Sequence, residues 1–269
     1  MSIRTNIAKL VIAGAILCNS YTVKWLNSYN FSQEKIYKVM VIPGHDNRGS
    51  GGCEGRAGKE SNIVARVGSK LEEKLKHDEN MQVFITRDEK EYNKELVDFI
   101  EKNFNKLKRL AYEEPKKHKF DRNNIDYLVI LYGIAKYAND NGYDLMINLH
   151  VNALDKKTKK KISNKISGFS VWYSPLNKRA FESKLYSYFN RNALLADGFK
   201  PSNNKGEKPV NECSKWVLVG NHKIKLKVPS NLIELDYISQ KKLADPKVQK
   251  GYAEAIYKGT KNYFRHHKY

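Results

Sequence analysis

From Ile36 onward, short apolar runs alternate with longer amphipathic stretches, and few folds satisfy that alternation. Tyr37–Ile42 (YKVMVI) reads as a buried strand and ends in Pro43-Gly44, a turn. The stretch that follows, Lys59–His77, sets Ile63, Val64, Val67, Leu71 and Leu75 on one helical face. A sheet covered by helices uses both patterns, so the chain is expected to be α/β. Further strands are expected at Met81–Thr86 (MQVFIT), Leu145–Leu149 (LMINL), Gly168–Tyr173 (GFSVWY), Trp216–Val219 and Asn231–Leu235. Helices are expected over about Ile125–Asn141, Lys178–Leu195 and Pro246–Phe264, the last burying Tyr252, Ala255, Ile256 and Tyr263. Residues 88–123 are highly charged and are interrupted by Glu113-Glu114-Pro115-Lys116-Lys117, which reads as an inserted helix plus loop. Residues 200–212 read as a polar loop and Lys156–Lys165 as a basic surface loop. With no internal repeat, residues 31–269 read as a single domain carrying that insertion.

The N-terminal segment reads differently. Arg4 and Lys9 precede nine apolar residues, Leu10–Cys18, after which Asn19-Ser20-Tyr21-Thr22 turn polar. Nine residues suit the core of an export signal and fall well short of the roughly 20 that span a bilayer. Residues 1–30 are therefore expected to be a signal peptide or an N-terminal membrane anchor, giving an exported protein, periplasmic or extracellular at the cell wall. The three cysteines, 18, 53 and 213, form no C-x-x-C pair, which excludes a zinc-finger framework. Only Cys53 and Cys213 would be left to pair after export.

Charge names a class of partner. The formal net charge is +20, and most of its cations are Lys rather than Arg. Base readers favour the Arg fork, so a Lys-dominated surface points to diffuse attraction to a polyanion rather than to nucleic acid. Anionic wall polymers or an anionic lipid surface fit that description.

The glycine-rich stretch 49–55 does not bind nucleotide. A dinucleotide fingerprint starting at Gly49 needs glycine at 54, which is Glu; a phosphate loop ending at Gly58-Lys59 needs Gly at 53 and Ser or Thr at 60, which are Cys and Glu. H-E-x-x-H and G-x-S-x-G are absent as well. What remains lies beside strand ends, where open α/β sheets build sites. His45 follows the first strand, Glu60 opens the first helix, His150 ends Leu145–Leu149, and Glu234 lies inside Leu-Ile-Glu-Leu of the last strand. Each has an ordinary reading: a satisfied structural His, or an acid at the positive end of a helix. Glu234 is the hardest to read that way, because a carboxylate buried among Leu and Ile is costly without a partner. Together the four suit either structural roles or a His-Glu-His metal centre with a carboxylate beside it.

The chain resembles the zinc-dependent N-acetylmuramoyl-L-alanine amidases of the bacterial cell wall. The resemblance is carried by Val41-Ile42-Pro43-Gly44-His45, Gly55-Arg56-Ala57-Gly58-Lys59-Glu60, Phe84-Ile85-Thr86-Arg87, Ala138-Asn139, Asn148-Leu149-His150-Val151-Asn152-Ala153, Gly168-Phe169 and Leu232-Ile233-Glu234-Leu235-Asp236-Tyr237-Ile238-Ser239, in that order. It implies Zn2+ held by His45, Glu60 and His150, with Glu234 as the catalytic carboxylate acting on a water. The implied reaction is hydrolysis of the amide bond between N-acetylmuramic acid and L-alanine of peptidoglycan. The implied fold is a mixed, mostly parallel sheet flanked by helices on both faces, three-layered and zinc-hydrolase-like. Asp236, two residues from Glu234 on the same strand, is the alternative base, and Asn152 suits either a site hydrogen bond or a turn. The chain departs from the family pattern at Asn148, where Ser is frequent, at Asp236, where Gly is frequent, and at Ile134, near where an Arg is usual. Cleavage within the stem peptide, or wall binding without catalysis, are the alternative functions.

Overall fold

The side chains of β1 (Tyr37–Pro43) show how the layers arise. Val39 and Val41 join one apolar core and Met40 and Ile42 join another, as alternation along a strand covered on both faces requires. In the computed structural model, residues 35–46, 52–112, 125–154, 165–221 and 223–266 are described. The leader, residues 47–51 of the glycine-rich stretch, residues 113–124 of the charged segment and residues 155–164 of the basic loop lie outside them.

The first core is closed by α1 (Glu60–Lys76), α4 (Ala180–Ala196) and α5 (Pro246–His266). The five α1 residues assigned to one face are all fully buried there, as are the four named on α5. The second core is closed by α2 (Lys94–Ala111) and α3 (Tyr127–Asp140). Helix α2 comes from the charged segment, yet Leu96, Ile100 and Leu107 pack with Val129, Ile130 and Ile134 of α3. Both helices start on side-chain caps: Asn93 accepts from the Glu95 N–H and Asp126 from the Leu128 N–H. Among the described residues no helix is long and apolar enough to cross a membrane.

Between the helical layers lies a six-stranded sheet in the order β4-β1-β5-β8-β6-β7. Its strands are β4 (Met81–Ile85), β5 (Leu145–Asn152), β6 (Ser170–Tyr173), β7 (Val210–Glu212) and β8 (Ser230–Tyr237), with β1. Only the β6–β8 pairing is antiparallel, so the fold is the expected mixed, mostly parallel three-layer α/β arrangement. A separate hairpin, β2 (Glu54–Gly55) with β3 (Gly58–Lys59), leads into α1.

Three local expectations differ from what is observed. Leu145–Leu149 continues as a strand to Asn152, because Glu234 and its neighbours on β8 extend the ladder, so His150 lies within the strand. Trp216–Val219 is no strand: Val217–Val219 is a 3-10 turn whose carbonyls are taken by side chains of Ser230, Asn148 and Asn177 rather than by a neighbouring strand. The polar loop 200–212 contains β7, which is too short and polar to announce itself and forms by pairing with β6. Cys53 and Cys213 are both free thiols.

Candidate metal centre

The C-terminal ends of β1, β5 and β8 meet the start of α1, and the four predicted residues converge there. After Pro43 the chain passes through Gly44, where a side chain would overlap the ring of His150. The next residue, His45, adopts φ 55°, a left-handed conformation that costs energy for a non-glycine residue. Its surroundings hold it there. The His45 N–H donates to the Tyr127 hydroxyl at 3.1 Å, the imidazole lies parallel to the Tyr127 ring at 5.8 Å, and the Gly44 N–H donates to the Leu149 carbonyl at 2.8 Å.

Arg87 fixes the same turn from beneath. Its buried guanidinium donates to the carbonyls of Pro43 (3.1 Å), Gly44 (2.7 Å) and Ser61 (2.9 Å). One side chain therefore ties the residues next to His45 to the residue after Glu60.

Glu60 is placed by the β2–β3 hairpin. Its N–H donates to the Cys53 carbonyl at 2.9 Å, which brings Cys53 alongside. Oε2 accepts from the Cys53 N–H at 3.0 Å and from its thiol at 3.1 Å. Oε1 accepts from the Val151 N–H at 3.0 Å and lies 3.2 Å from His150 Nδ1 and 3.5 Å from His45 Nε2. Gly52 has no side chain to spare: a Cβ there would overlap the Glu60 carboxylate. Burial alone would push the Glu60 carboxyl up. The hydrogen bond from His150 and the charges of His150 and His45 outweigh it and hold the carboxyl down at about 2.

One donor atom each from His45, Glu60 and His150 lie within 4.8 Å of one another. Two imidazoles and a carboxylate, with space for a further ligand, form a donor set that suits zinc. Glu234 is the cross-strand partner of His150 in the β5–β8 ladder and lines the same cleft. Its Oε2 is buried with no hydrogen-bond partner. Burial raises its carboxyl to about 8, with His150 pulling it down and Glu60 and Glu207 pushing it further up. A half-buried Glu234 with one buried, idle oxygen beside three convergent donors is what a bound cation and its water would satisfy.

Asp236 does not join this group. The β5–β8 register shifts between His150 and Asn152, and beyond that shift Asp236 accepts from the Gly168 N–H at 2.7 Å and pairs with Lys242 at 2.7 Å. Its two-residue spacing from Glu234 therefore does not bring it to the site. Asn152 lines the cleft and donates to Glu207 at 3.3 Å. Asn148 sits deeper, donating to Ser230 Oγ at 2.9 Å and to the Asn231 carbonyl at 2.6 Å. Read from the sequence, Cys53, Tyr127, Glu207 and Arg87 have no role in this site. Only Arg87, a cation closing an apolar strand, carried a signal.

A family model for N-acetylmuramoyl-L-alanine amidases matches residues 39–262. Comparison with curated proteins finds no match. Among solved structures the chain is similar to the amidase AmiC2 of Nostoc punctiforme (18% identity, 85% of this chain and 97% of that one, TM-score 0.58). It is also similar to the CwlD amidase from Clostridioides difficile in complex with the GerS lipoprotein (19%, 85% and 98%, TM-score 0.61). A third is Ami1 from Mycobacterium smegmatis (18%, 87% and 100%, TM-score 0.59). At these identities the structures speak for the fold. The family model covers most of the chain, including all four residues of the site, and on that match the chain belongs to the N-acetylmuramoyl-L-alanine amidase family, enzymes that act on peptidoglycan.

Proposed function

We propose that this amidase is zinc-dependent, with His45, Glu60 and His150 as ligands and Glu234 as the base. The bond cut joins the lactyl carbonyl of N-acetylmuramic acid to the amine of L-alanine. The observation that carries the reading is the convergence of the three donors next to a half-buried carboxylate with one buried, unpartnered oxygen. When bound, zinc supplies Lewis-acid polarisation of a carbonyl and lowers the pKa of water at an open position.

The chain's own residues supply the rest. Two donors from Cys53 hold Oε2 of Glu60, leaving Oε1 directed between the imidazoles. Glu234 sits where a cation among the three donors would draw its raised pKa back toward neutrality. It then takes the proton of the attacking water and delivers it to the departing L-alanine amine. Export directed by residues 1–30 would bring the enzyme to its substrate.

Mass spectrometry of soluble peptidoglycan fragments digested by the zinc-loaded protein tests this. Stem peptides with a free L-alanine amine alongside peptide-free glycan are expected. Glu234→Gln should lower kcat by about 10²–10⁴-fold while zinc still binds. Products cut only within the peptide would overturn the assigned bond, and full activity in Glu234→Gln would overturn the base.

A further inference from the structure

The cleft around the candidate metal centre has a volume of about 840 Å³ and reaches past the donors to Lys215, Trp216 and the Val217–Val219 turn. Val217 and Leu218 are buried, whereas Trp216 remains 37% exposed. What sets Trp216 apart from the other exposed apolar side chains is that it lines this cleft, where a bound ligand can cover it.

The ring is also held firmly. It meets the Trp172 ring at 5.3 Å with the planes 67° apart, and Trp172 Nε1 donates to Ser170 Oγ at 3.0 Å. The turn that follows is pinned from three directions. The Leu218 carbonyl accepts from Ser230 Oγ at 2.6 Å and from Asn148 Nδ2 at 3.4 Å, and the Val219 carbonyl accepts from Asn177 Nδ2 at 3.2 Å. Ser230, Asn148 and Asn177 are themselves buried. An aromatic surface fixed before the ligand arrives loses little conformational freedom on binding.

Charge narrows the ligand. A chain with 49 Lys and Arg places one of them, Lys215, among the described residues that line this cleft. Leu128, Leu131, Leu218 and Leu232 give the same cleft an apolar lining. A neutral pyranose suits it, because the ring's C–H bonds carry slight positive charge and lie against the electron-rich indole face while its hydroxyls stay in water. We propose that Trp216 is the platform on which a neutral sugar ring of the substrate stacks, and that it decides recognition of the glycan side of the cleaved bond. This rests on the proposed cleavage of an amide joined to a sugar through one lactyl group, which keeps a ring within a few bonds of the reacting carbonyl.

Steady-state kinetics with the full chain test it on two soluble substrates, a disaccharide-tetrapeptide and a sugar-free lactoyl peptide of the same sequence. Trp216→Ala should raise KM for the disaccharide substrate by roughly three- to ten-fold, with kcat little changed. KM for the sugar-free substrate should stay put, and Trp216→Phe should recover most of the loss. An unchanged KM, or an equal rise on both substrates, overturns the platform. Wild-type protein that cuts neither substrate would instead overturn the proposed reaction. The platform is then judged by calorimetric titration with the peptide-free disaccharide. Saturable binding that Trp216→Ala weakens and Trp216→Phe largely restores supports it, and a flat titration, or equal binding in Trp216→Ala, overturns it. Zinc content and thermal melting matched to wild type establish that each variant is folded.

Discussion

The two ends of the parallel strands are built from the same kinds of residue in opposite ways. At their N-terminal end, polar groups take partners both near and far in sequence, and those groups or their partners reach water. In the turn between α1 and β4, the Asp78 N–H donates to the Leu75 carbonyl, and the Asn80 and Met81 N–H groups donate back to Asp78. In the turn before β5, Asp144 and the Lys38 backbone exchange hydrogen bonds of 2.8 and 2.9 Å where β1 and β5 begin to pair. At the C-terminal end, Arg87 and Glu60 are buried together with the groups they bind. Arg87 reaches carbonyls 26 to 44 residues away, and Glu60 is met by His150 and Val151 some 90 residues on. The first arrangement tolerates error because water can replace any partner. The second has no such substitute, since a buried group that loses its partner bears the full desolvation cost. Function sits at the end that cannot be patched by solvent.

The largest test of this contrast is Arg87→Ala. It strips donors from the carbonyls of Pro43, Gly44 and Ser61, and from that of Asp88, and the expected loss is about 3–5 kcal/mol of stability. Urea unfolding reads it as a lower midpoint at an unchanged slope. Arg87→Lys, which supplies a point charge in place of a fork, should fall between. A loss below about 1 kcal/mol would mean that water reaches these carbonyls after all, and the two ends would no longer differ in kind.

The same contrast explains what could be read from the residues alone. Helix α1 and strand β1 follow from their own periodicity, and the turn at Pro43-Gly44 marks itself. The four site residues could be picked out by their places beside strand ends, where open α/β sheets build sites, although Glu234 alone is an unusual choice by itself. Their convergence could not be read from any one segment. It depends on β1, β5 and β8 being neighbours, and on a register that sets His150 opposite Glu234. Asp236 shows the limit of spacing arguments: a single register shift takes it from the face that two-residue spacing predicts to Gly168 and Lys242. Trp216–Val219 misled for a related reason. Four apolar residues suit a strand or a buried turn equally, and the choice lay with side chains of Asn148, Asn177 and Ser230, none of them local to the run.

Cys53 gives a sharper test with a smaller effect. Its thiol is one of two Cys53 donors to Glu60 Oε2, and it also lies 3.4 Å from the Val151 carbonyl. Cys53→Ala leaves the backbone donor in place and frees one side of the carboxylate, so zinc affinity measured by chelator competition should fall by about ten-fold. Cys53→Ser, which retains a donor, should recover most of it. Equal affinity in all three proteins would show that the backbone bonds alone orient Glu60, and that the thiol is merely buried beside it.

The opposite end supplies the mildest prediction. Asp78 Oδ2 lies 3.0 Å from Lys261 Nζ and 3.1 Å from the Tyr257 hydroxyl on α5, while Oδ1 accepts from the Asn80 N–H. Burial favours the neutral acid, but the Lys261, Asn80 and Tyr257 hydrogen bonds together outweigh it and leave the carboxyl below its ordinary 3.8. A carboxylate depressed in the folded state stabilises the protein fully above its unfolded value, and that contribution fades as pH falls from there through the lowered folded value. Asp78→Asn should therefore cost about 1 kcal/mol or less at neutral pH, because Lys261 is one-third exposed. The difference between variant and wild type should shrink as the pH of the unfolding experiment drops below about 4. A difference that stays constant down to pH 2 would assign the role of Asp78 to the hydrogen bonds of its turn, which Asn retains only in part, and not to its charge.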